Sequence, residues 1–169
     1  VHPLKSISSP AEETLKVWDE LNQSRKVVGI GGIDAHAHKI NVLGFFEVEV
    51  FPYKILFKSI RTHILIENKL VSGESNANLE NAKIEIYGAL KEGRCFVSNY
   101  YHGDASGFRF FAESDNQIYQ MGDYVPLNKS VKLKTLLPNI SATIRLIKNG
   151  EIIDSIDNFD AEFIVTSSG

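Results

Sequence analysis

The sequence predicts an α/β unit over residues 1–103, followed by a small antiparallel β module over residues 104–169. In the first part, a helical period gives way twice to a short apolar run, which is typical of helices that alternate with strands. In the second part, short runs of alternating apolar and polar residues are separated by turn residues, and no helical period competes with them. We therefore place a domain boundary near residue 104.

A helix opens the first part. The stretch "SSPAEETLKVWDELNQ" offers Ser9 as N-cap, Pro10 at the first helical position and Glu12 three residues after the cap. An apolar stripe at helical spacing follows, formed by Leu15, Trp18 and Leu21. The next run, "VVGIGGI", is apolar on both faces, which predicts a strand covered on both sides in a parallel sheet.

Two more helices and a strand complete this part. The spacing of apolar residues after Pro52 predicts a helix, although the alternation from Ile60 to Ile66 also suits a strand. The stretch "LENAKIEIYGALKEG" has one apolar helical face, with Asn78 as its cap and Gly93 as its stop. "RCFVSNYY" then predicts another strand, so that a helix again leads into a strand.

The second part reads as short strands joined by tight turns. Four runs predict strands: "GFRFFAES", "SVKLKTLL", "SATIRLIKN" and "AEFIVTS". "LIKNGEII" is the strongest hairpin signal in the chain, because Asn149 and Gly150 readily adopt the positive φ angles of a two-residue turn. We expect these strands to form a sandwich-like module.

Composition and charge exclude several classes of partner. The chain of 169 residues is 43% hydrophobic and 23% charged, which is typical of a globular protein. Its net charge of −3 falls on residues 104–169, and no basic stripe predicts a nucleic-acid partner. No run approaches the ~20 apolar residues of a membrane span. The single cysteine, Cys95, excludes an internal disulfide and favours a reducing compartment such as the cytoplasm.

Residues 27–38, "VVGIGGIDAHAH", are the segment richest in reactive side chains. A dinucleotide-binding fingerprint requires a third glycine where this sequence has Asp34, whose carboxylate would repel a pyrophosphate. A phosphate-binding P-loop requires Gly-Lys-Ser/Thr, which does not occur here. Neither phosphate-binding motif therefore explains the segment.

A metal site explains the segment better. On an extended backbone, Asp34 and His36 project from the same side, and His38 joins them if the chain stays extended. Carboxylate oxygen and imidazole nitrogen suit zinc, manganese or iron. The alternative is an ordinary loop: Asp-x-His is short and common by chance, and a catalytic zinc site needs about three protein ligands.

The ordered series of motifs resembles the C-terminal half of PHP-domain proteins, the polymerase and histidinol phosphatase superfamily of metal-dependent phosphoesterases. The resemblance rests on "VWDELNQSRKVVGIGGIDAHAH", "FPYKILFKSIRTHILIE", "IYGALKEGRCFVSN", "GFRFFAE", "MGD" and "IRLIKNG". It implies that Asp34 and His36 match the last Asp-x-His metal-ligand pair of the family. His38 matches no family ligand, which suggests a role behind the ligands or at the surface, and the family's earlier ligands have no counterpart here.

The resemblance also implies a fold and a function. Residues 1–103 would be an α/β remainder of a distorted β/α barrel, followed by the small antiparallel β-sandwich-like module. The parent protein would hydrolyse a phosphoester with divalent metal ions, and this fragment would bind metal weakly and be inactive alone. No residue of the fragment would be catalytic, because Asp34 and His36 serve as ligands and not as the nucleophile.

Two other functions stay open. The aromatic run "YYHGDASGFRFF" suggests a non-catalytic module that binds a carbohydrate, a peptide or an envelope component, although such aromatics more often fill a core. Bare strand edges on a truncated barrel would instead promote self-association. We expect structural roles for the remaining histidines and core filling for the cysteine: His2, His63, His102 and Cys95.

Overall fold

The computed structural model describes residues 9–33, 35–42, 44–50, 52–70, 76–138 and 140–169. His2 and Asp34 lie outside these described residues. The elements, in chain order, are α1 Glu12–Asn22, β1 His38–Val42, β2 Phe46–Val50, α2 Tyr53–Leu56, β3 Ile60–Ile64, α3 Asn76–Glu92, β4 Cys95–Asn99, β5 Arg109–Ser114, β6 Gln117–Gln120, β7 Val131–Leu136, β8 Ala142–Lys148, β9 Glu151–Asn158 and β10 Asp160–Val165. A short 3-10 turn, Tyr100–His102, follows β4.

The strands form four small sheets. Three sheets are two-stranded, namely β1–β2, β3–β4 and β8–β9, and the fourth has the order β10–β7–β5–β6. Every strand pair in the described ranges is antiparallel. The predicted remainder of a β/α barrel is therefore wrong, because a barrel of that kind is built from parallel strands joined by crossover helices. The predicted β-rich module fits the structure.

The apolar run over residues 27–33 is not a strand of any sheet. Side chains satisfy its backbone groups where a neighbouring strand was expected: the Asn22 side-chain oxygen accepts from the Val27 amide at 2.9 Å, and the Trp18 indole donates to the Val27 carbonyl at 2.7 Å. The Thr62 hydroxyl accepts from the Gly31 amide at 2.9 Å and donates to the Gly31 carbonyl at 3.0 Å. The apolar side chains of residues 27–33 predicted a strand covered on both faces. They gave no sign that the side chains of Trp18, Asn22 and Thr62 would bond to its backbone groups.

The helix predicted after Pro52 is only partly correct. Helix α2 is a single turn, and the chain then continues as β3, which pairs with β4 in the register Ile60–Asn99 and Ile64–Cys95. The β-branched residues of β3 favour a strand once a partner strand is available. The alternation from Ile60 to Ile66 therefore predicted the structure of this segment more accurately than the helical spacing did.

Several predicted elements are confirmed. Helices α1 and α3 and strand β4 occur where the sequence predicts them, and Gly93, whose φ is +74°, follows the end of α3. Helix α3 begins at Asn76, so Asn78 lies within its first turn and is not its cap. The β8–β9 turn has positive φ at both Asn149 and Gly150, 51° and 81°. The start of α1 differs slightly, because Ala11 occupies the N-cap without a capping side chain.

The β module contacts the first part of the chain through the turn after β6. The Lys26 ammonium donates to the Gly122 carbonyl at 2.5 Å. Gly122 has φ +93°, and a Cβ there would overlap the Glu92 carbonyl oxygen at the end of α3. Only glycine fits this close approach, so the turn is held against the C-terminus of the helix.

The core is small for a chain of this size. The buried apolar residues in the described ranges are Leu56, Ala89, Cys95, Ala112, Val131, Ala161 and Phe163. The accessible surface is 12575 Å², where a compact monomer of 18.9 kDa is expected to expose about 8,300 Å². The molecule therefore leaves much apolar surface uncovered. None of its described helices is long and apolar enough to cross a membrane.

Candidate functional site

Residues 27–33 cross the face of the two-stranded β3–β4 sheet, and their glycines allow the close approach. Gly29 lies against the Trp18 indole: a Cβ added to Gly29 would lie 3.5 Å from the nearest indole carbon. A Cβ on Gly31 would lie 2.5 Å from Val97 Cγ1 and 2.7 Å from Ile60 Cγ2. The segment is thus held between helix α1 and the β3–β4 sheet, and it leads directly into the histidines.

Burial alternates after this crossing. Ile33, Ala35 and Ala37 are half-buried, whereas His36 and His38 are exposed. The His38 amide donates to the His36 carbonyl at 3.0 Å, which closes a three-residue turn around Ala37. Both imidazoles therefore lie on the solvent side of the segment.

The two imidazoles lie side by side. Their ring centroids are 5.7 Å apart and their planes differ by 9°. Nitrogen–metal bonds of about 2.1 Å place two imidazole centroids roughly 5–6 Å apart when both bind one ion. The separation of the His36 and His38 centroids lies within this range.

The third residue of the predicted site is not described. Asp34 precedes His36 by two positions, but its placement lies outside the described residues. Among the residues that the structure does describe, no group of three or more His, Cys, Asp or Glu side chains could hold a metal ion. The described chain therefore brings two of the predicted side chains together and leaves the ligand set incomplete.

The two other described histidines, His63 and His102, and the cysteine make structural contacts. His63 Nε2 lies 2.8 Å from the Ser98 hydroxyl, and its ring stacks on Phe96 with centroids 4.4 Å apart. His102 is exposed and meets the Tyr101 ring edge-on at 5.2 Å. The Cys95 thiol is buried against the 27–33 segment, and this burial raises its pKa. These contacts fit the structural roles expected from the sequence.

Several aromatic side chains of the run "YYHGDASGFRFF", which suggested a binding module, make contacts within the chain. Phe108 packs on Phe96 at 4.8 Å, and the Arg61 guanidinium lies over the Tyr100 ring at 3.7 Å. Phe110 and Phe111 are half-buried in β5. Part of this run therefore contributes to the packing around β4 and β5.

Two surface features were missed by the sequence analysis. The first is an apolar groove of about 690 Å³ between α1 and β4, lined by residues such as Leu15, Trp18, Val27, Gly29 and Val97. The second is the β1–β2 hairpin, which has one apolar face. A signal for the hairpin exists in the alternation of Ile40 with Val42 and of Val48 with Val50, around a turn at Gly44 with φ +75°.

Comparison with known proteins finds no match: no protein family, no curated protein and no solved structure is significantly similar to this chain. The function must therefore be argued from the chemistry and geometry of residues 34–38 together with the sequence resemblance.

Proposed function

We propose that residues 34–38 supply ligands to the divalent metal site of a PHP-type phosphoesterase, and that the remaining ligands come from polypeptide outside these 169 residues. One observation carries the proposal: the exposed imidazoles of His36 and His38 lie side by side at 5.7 Å. With the Asp34 carboxylate they form a nitrogen and oxygen donor set that suits zinc, manganese or iron. The sequence resemblance supplies the reaction class.

Each residue of the segment has a distinct task in this proposal. Asp34 and His36 are ligands, as the resemblance implies, and His38 joins them because its ring lies beside that of His36. The backbone hydrogen bond around Ala37 brings residues 36 and 38 close together in the chain trace. Metal binding competes with protonation of the imidazoles, so we expect it to weaken in acid.

The metal ion would supply the hydrolytic chemistry, because it lowers the pKa of a bound water and clamps the phosphoryl oxygens. The residues of this chain hold and orient the ion and do not attack the phosphorus. Three ligands from one segment are few for such a centre. We therefore expect the 169-residue chain alone to bind metal weakly and to hydrolyse nothing.

The proposal is tested by replacing the ligand pair. In the polypeptide that carries both this chain and the missing ligands, Asp34→Ala with His36→Ala should reduce bound zinc or manganese, measured by elemental analysis. It should also lower the hydrolysis of a chromogenic phosphodiester or phosphomonoester by about 100-fold or more, because outer-shell changes alone cost 10–100-fold.

The matched control is His102→Ala, which removes an exposed imidazole elsewhere on the chain. It should leave both metal content and hydrolysis unchanged. If the double variant retains its metal and its activity, residues 34 and 36 are not ligands and the proposed function is wrong.

A further inference from the structure

The apolar groove of about 690 Å³ lies between helix α1, residues 27–31 and strand β4. Leu15 and Trp18 of α1, Ile30 of the crossing segment and Val97 of β4 form much of its wall. These four side chains are 36–68% exposed. The described part of the chain therefore leaves the groove open to solvent.

Two polar side chains of the wall already bond within the chain. The Trp18 indole donates to the Val27 carbonyl at 2.7 Å. The Asn22 side chain donates to the Trp18 carbonyl at 2.9 Å and accepts from the Val27 amide at 2.9 Å. A ligand gains little by competing for groups that are already bonded. Along this wall a ligand would therefore make mainly apolar contacts.

Among the described residues that line the groove, Lys26 is the one that carries a charge. Its ammonium donates to the Gly122 carbonyl at 2.5 Å and lies 5.1 Å from the centre of the Tyr124 ring. Its Cε would lie 3.5 Å from a Cβ on Gly93. Gly93 and Gly122 both line the groove, so these contacts put the ammonium at that end of it. An ammonium has three N–H donors, and the Gly122 carbonyl takes one of them.

We propose that this groove binds a monocarboxylate with an apolar tail, the chemistry of a fatty acid. The apolar wall takes the tail, and the Lys26 ammonium donates to the carboxylate. The volume lies within the ~300–1,000 Å³ of small-molecule sites, which are mostly apolar and have a few polar groups that orient the ligand.

The charge of the wall selects the head group. One cation at the end of an apolar wall complements one anionic charge, whereas a second charge on the ligand would be desolvated without a partner. An uncharged or cationic head would gain no attraction from Lys26. No described histidine lines the groove, so the inference does not depend on the proposed metal site.

Trp18 provides a direct measure of occupancy, because it is the only tryptophan of the chain and lines the groove. Dodecanoate with a bromine on its terminal carbon, titrated below its micelle concentration, should quench the Trp18 fluorescence saturably, since bromine quenches an indole at short range. Lys26→Met keeps the apolar stem of the side chain and removes the charge. It should weaken the binding of this carboxylate by about 10-fold, the effect of losing one hydrogen bond to a charged group.

The matched ligand control is dodecanol with the same terminal bromine. It should bind the parent chain and Lys26→Met equally, which also shows that the variant keeps its groove. The matched protein control is Lys129→Met, which removes an exposed lysine outside the groove and should leave carboxylate binding unchanged.

Three results would overturn the proposal: no saturable quenching by the carboxylate, carboxylate binding that Lys26→Met leaves unchanged, and an equal loss in the two lysine variants. Light scattering on the same samples supplies a fourth. A dimeric chain in which Trp18 does not respond to the carboxylate would show that a second copy, and not a small ligand, covers the groove.

Discussion

Gly31 shows how one residue without a side chain shapes the site. It lies where residues 27–33 cross the β3–β4 sheet, with Val97 and Ile60 against the position that a Cβ would take. The Thr62 hydroxyl bonds to both its amide and its carbonyl. Any side chain at this point would push the segment, and the histidines that follow it, away from the β3–β4 sheet.

We predict that Gly31→Ala lowers the free energy of unfolding by about 1–3 kcal/mol, because the added methyl overpacks against two branched side chains. Urea denaturation followed by circular dichroism measures the change. The neighbouring Gly32→Ala is the control, since nothing lies within 4 Å of its Cβ position, and it should change stability by less than about 0.5 kcal/mol. Equal effects for the two variants would show that the close crossing is absent.

His38 shows what sequence reasoning could not reach at this scale. The alternation of residues predicted that His36 and His38 share a side, but the family resemblance separated His38 from the ligands. The turn around Ala37 depends on a backbone hydrogen bond that no residue pattern announces. The sequence predicts that the two imidazoles share a side, and the structure adds the 5.7 Å separation of their rings.

The central strands of the four-stranded sheet carry a ladder of charges. Lys132 and Lys134 of β7 lie 3.1 and 3.7 Å from Glu162 of β10, and Lys134 lies 2.9 Å from Glu113 of β5. The hydrogen bond from Lys132 holds the pKa of Glu162 below its ordinary value, and the one to Glu113 raises the pKa of Lys134. These exposed pairs contribute modestly and are screened by salt.

The ladder predicts a pH dependence of stability. Because the folded-state pKa of Glu162 is lowered, its contribution is present above the unfolded pKa of about 4.3 and is lost as the pH falls through the folded value. The contribution of Lys134, whose pKa is raised, is present below about pH 10.4 and is lost as the pH rises through the folded value.

Urea midpoints measured from pH 2 to pH 7 test the acid limb. Glu162→Gln removes the titrating group, so its midpoint should fall less on acidification than that of the unchanged chain. The difference between the two proteins should shrink in 1 M salt. Parallel curves for the two proteins would mean that the carboxylate adds nothing to stability through the ladder.

Element types were predicted where local signals suffice. Helices α1 and α3 have apolar faces and terminal signals within their own sequence, and the Asn149–Gly150 turn fixes its hairpin locally. The prediction of a strand at residues 27–33 was wrong, because apolar character does not show whether a neighbouring strand or only side chains will pack against a segment. The apolar spacing of β3 fits both a helix and a strand, and its pairing with β4 makes it a strand.

At the scale of the whole molecule, the sequence did not predict whether paired strands run parallel or antiparallel. A helix followed by an apolar run suggests parallel strands, yet β3 and β4 pair antiparallel although α3 lies between them in the chain. Direction depends on where a long connection returns, which is a matter of tertiary packing. The large accessible surface of 12575 Å² likewise has no signature in an ordinary composition.

The central claim is that residues 34–38 bind a divalent metal, and the histidine ring signals of the chain test it most directly. Titration with Mn²⁺ should broaden the NMR resonances of His36 and His38 at substoichiometric metal, and leave those of His63 and His102 sharp. Asp34→Ala with His36→Ala should abolish the selective broadening of His38. Broadening that is equal for all the histidines, or is absent at millimolar Mn²⁺, would contradict the account.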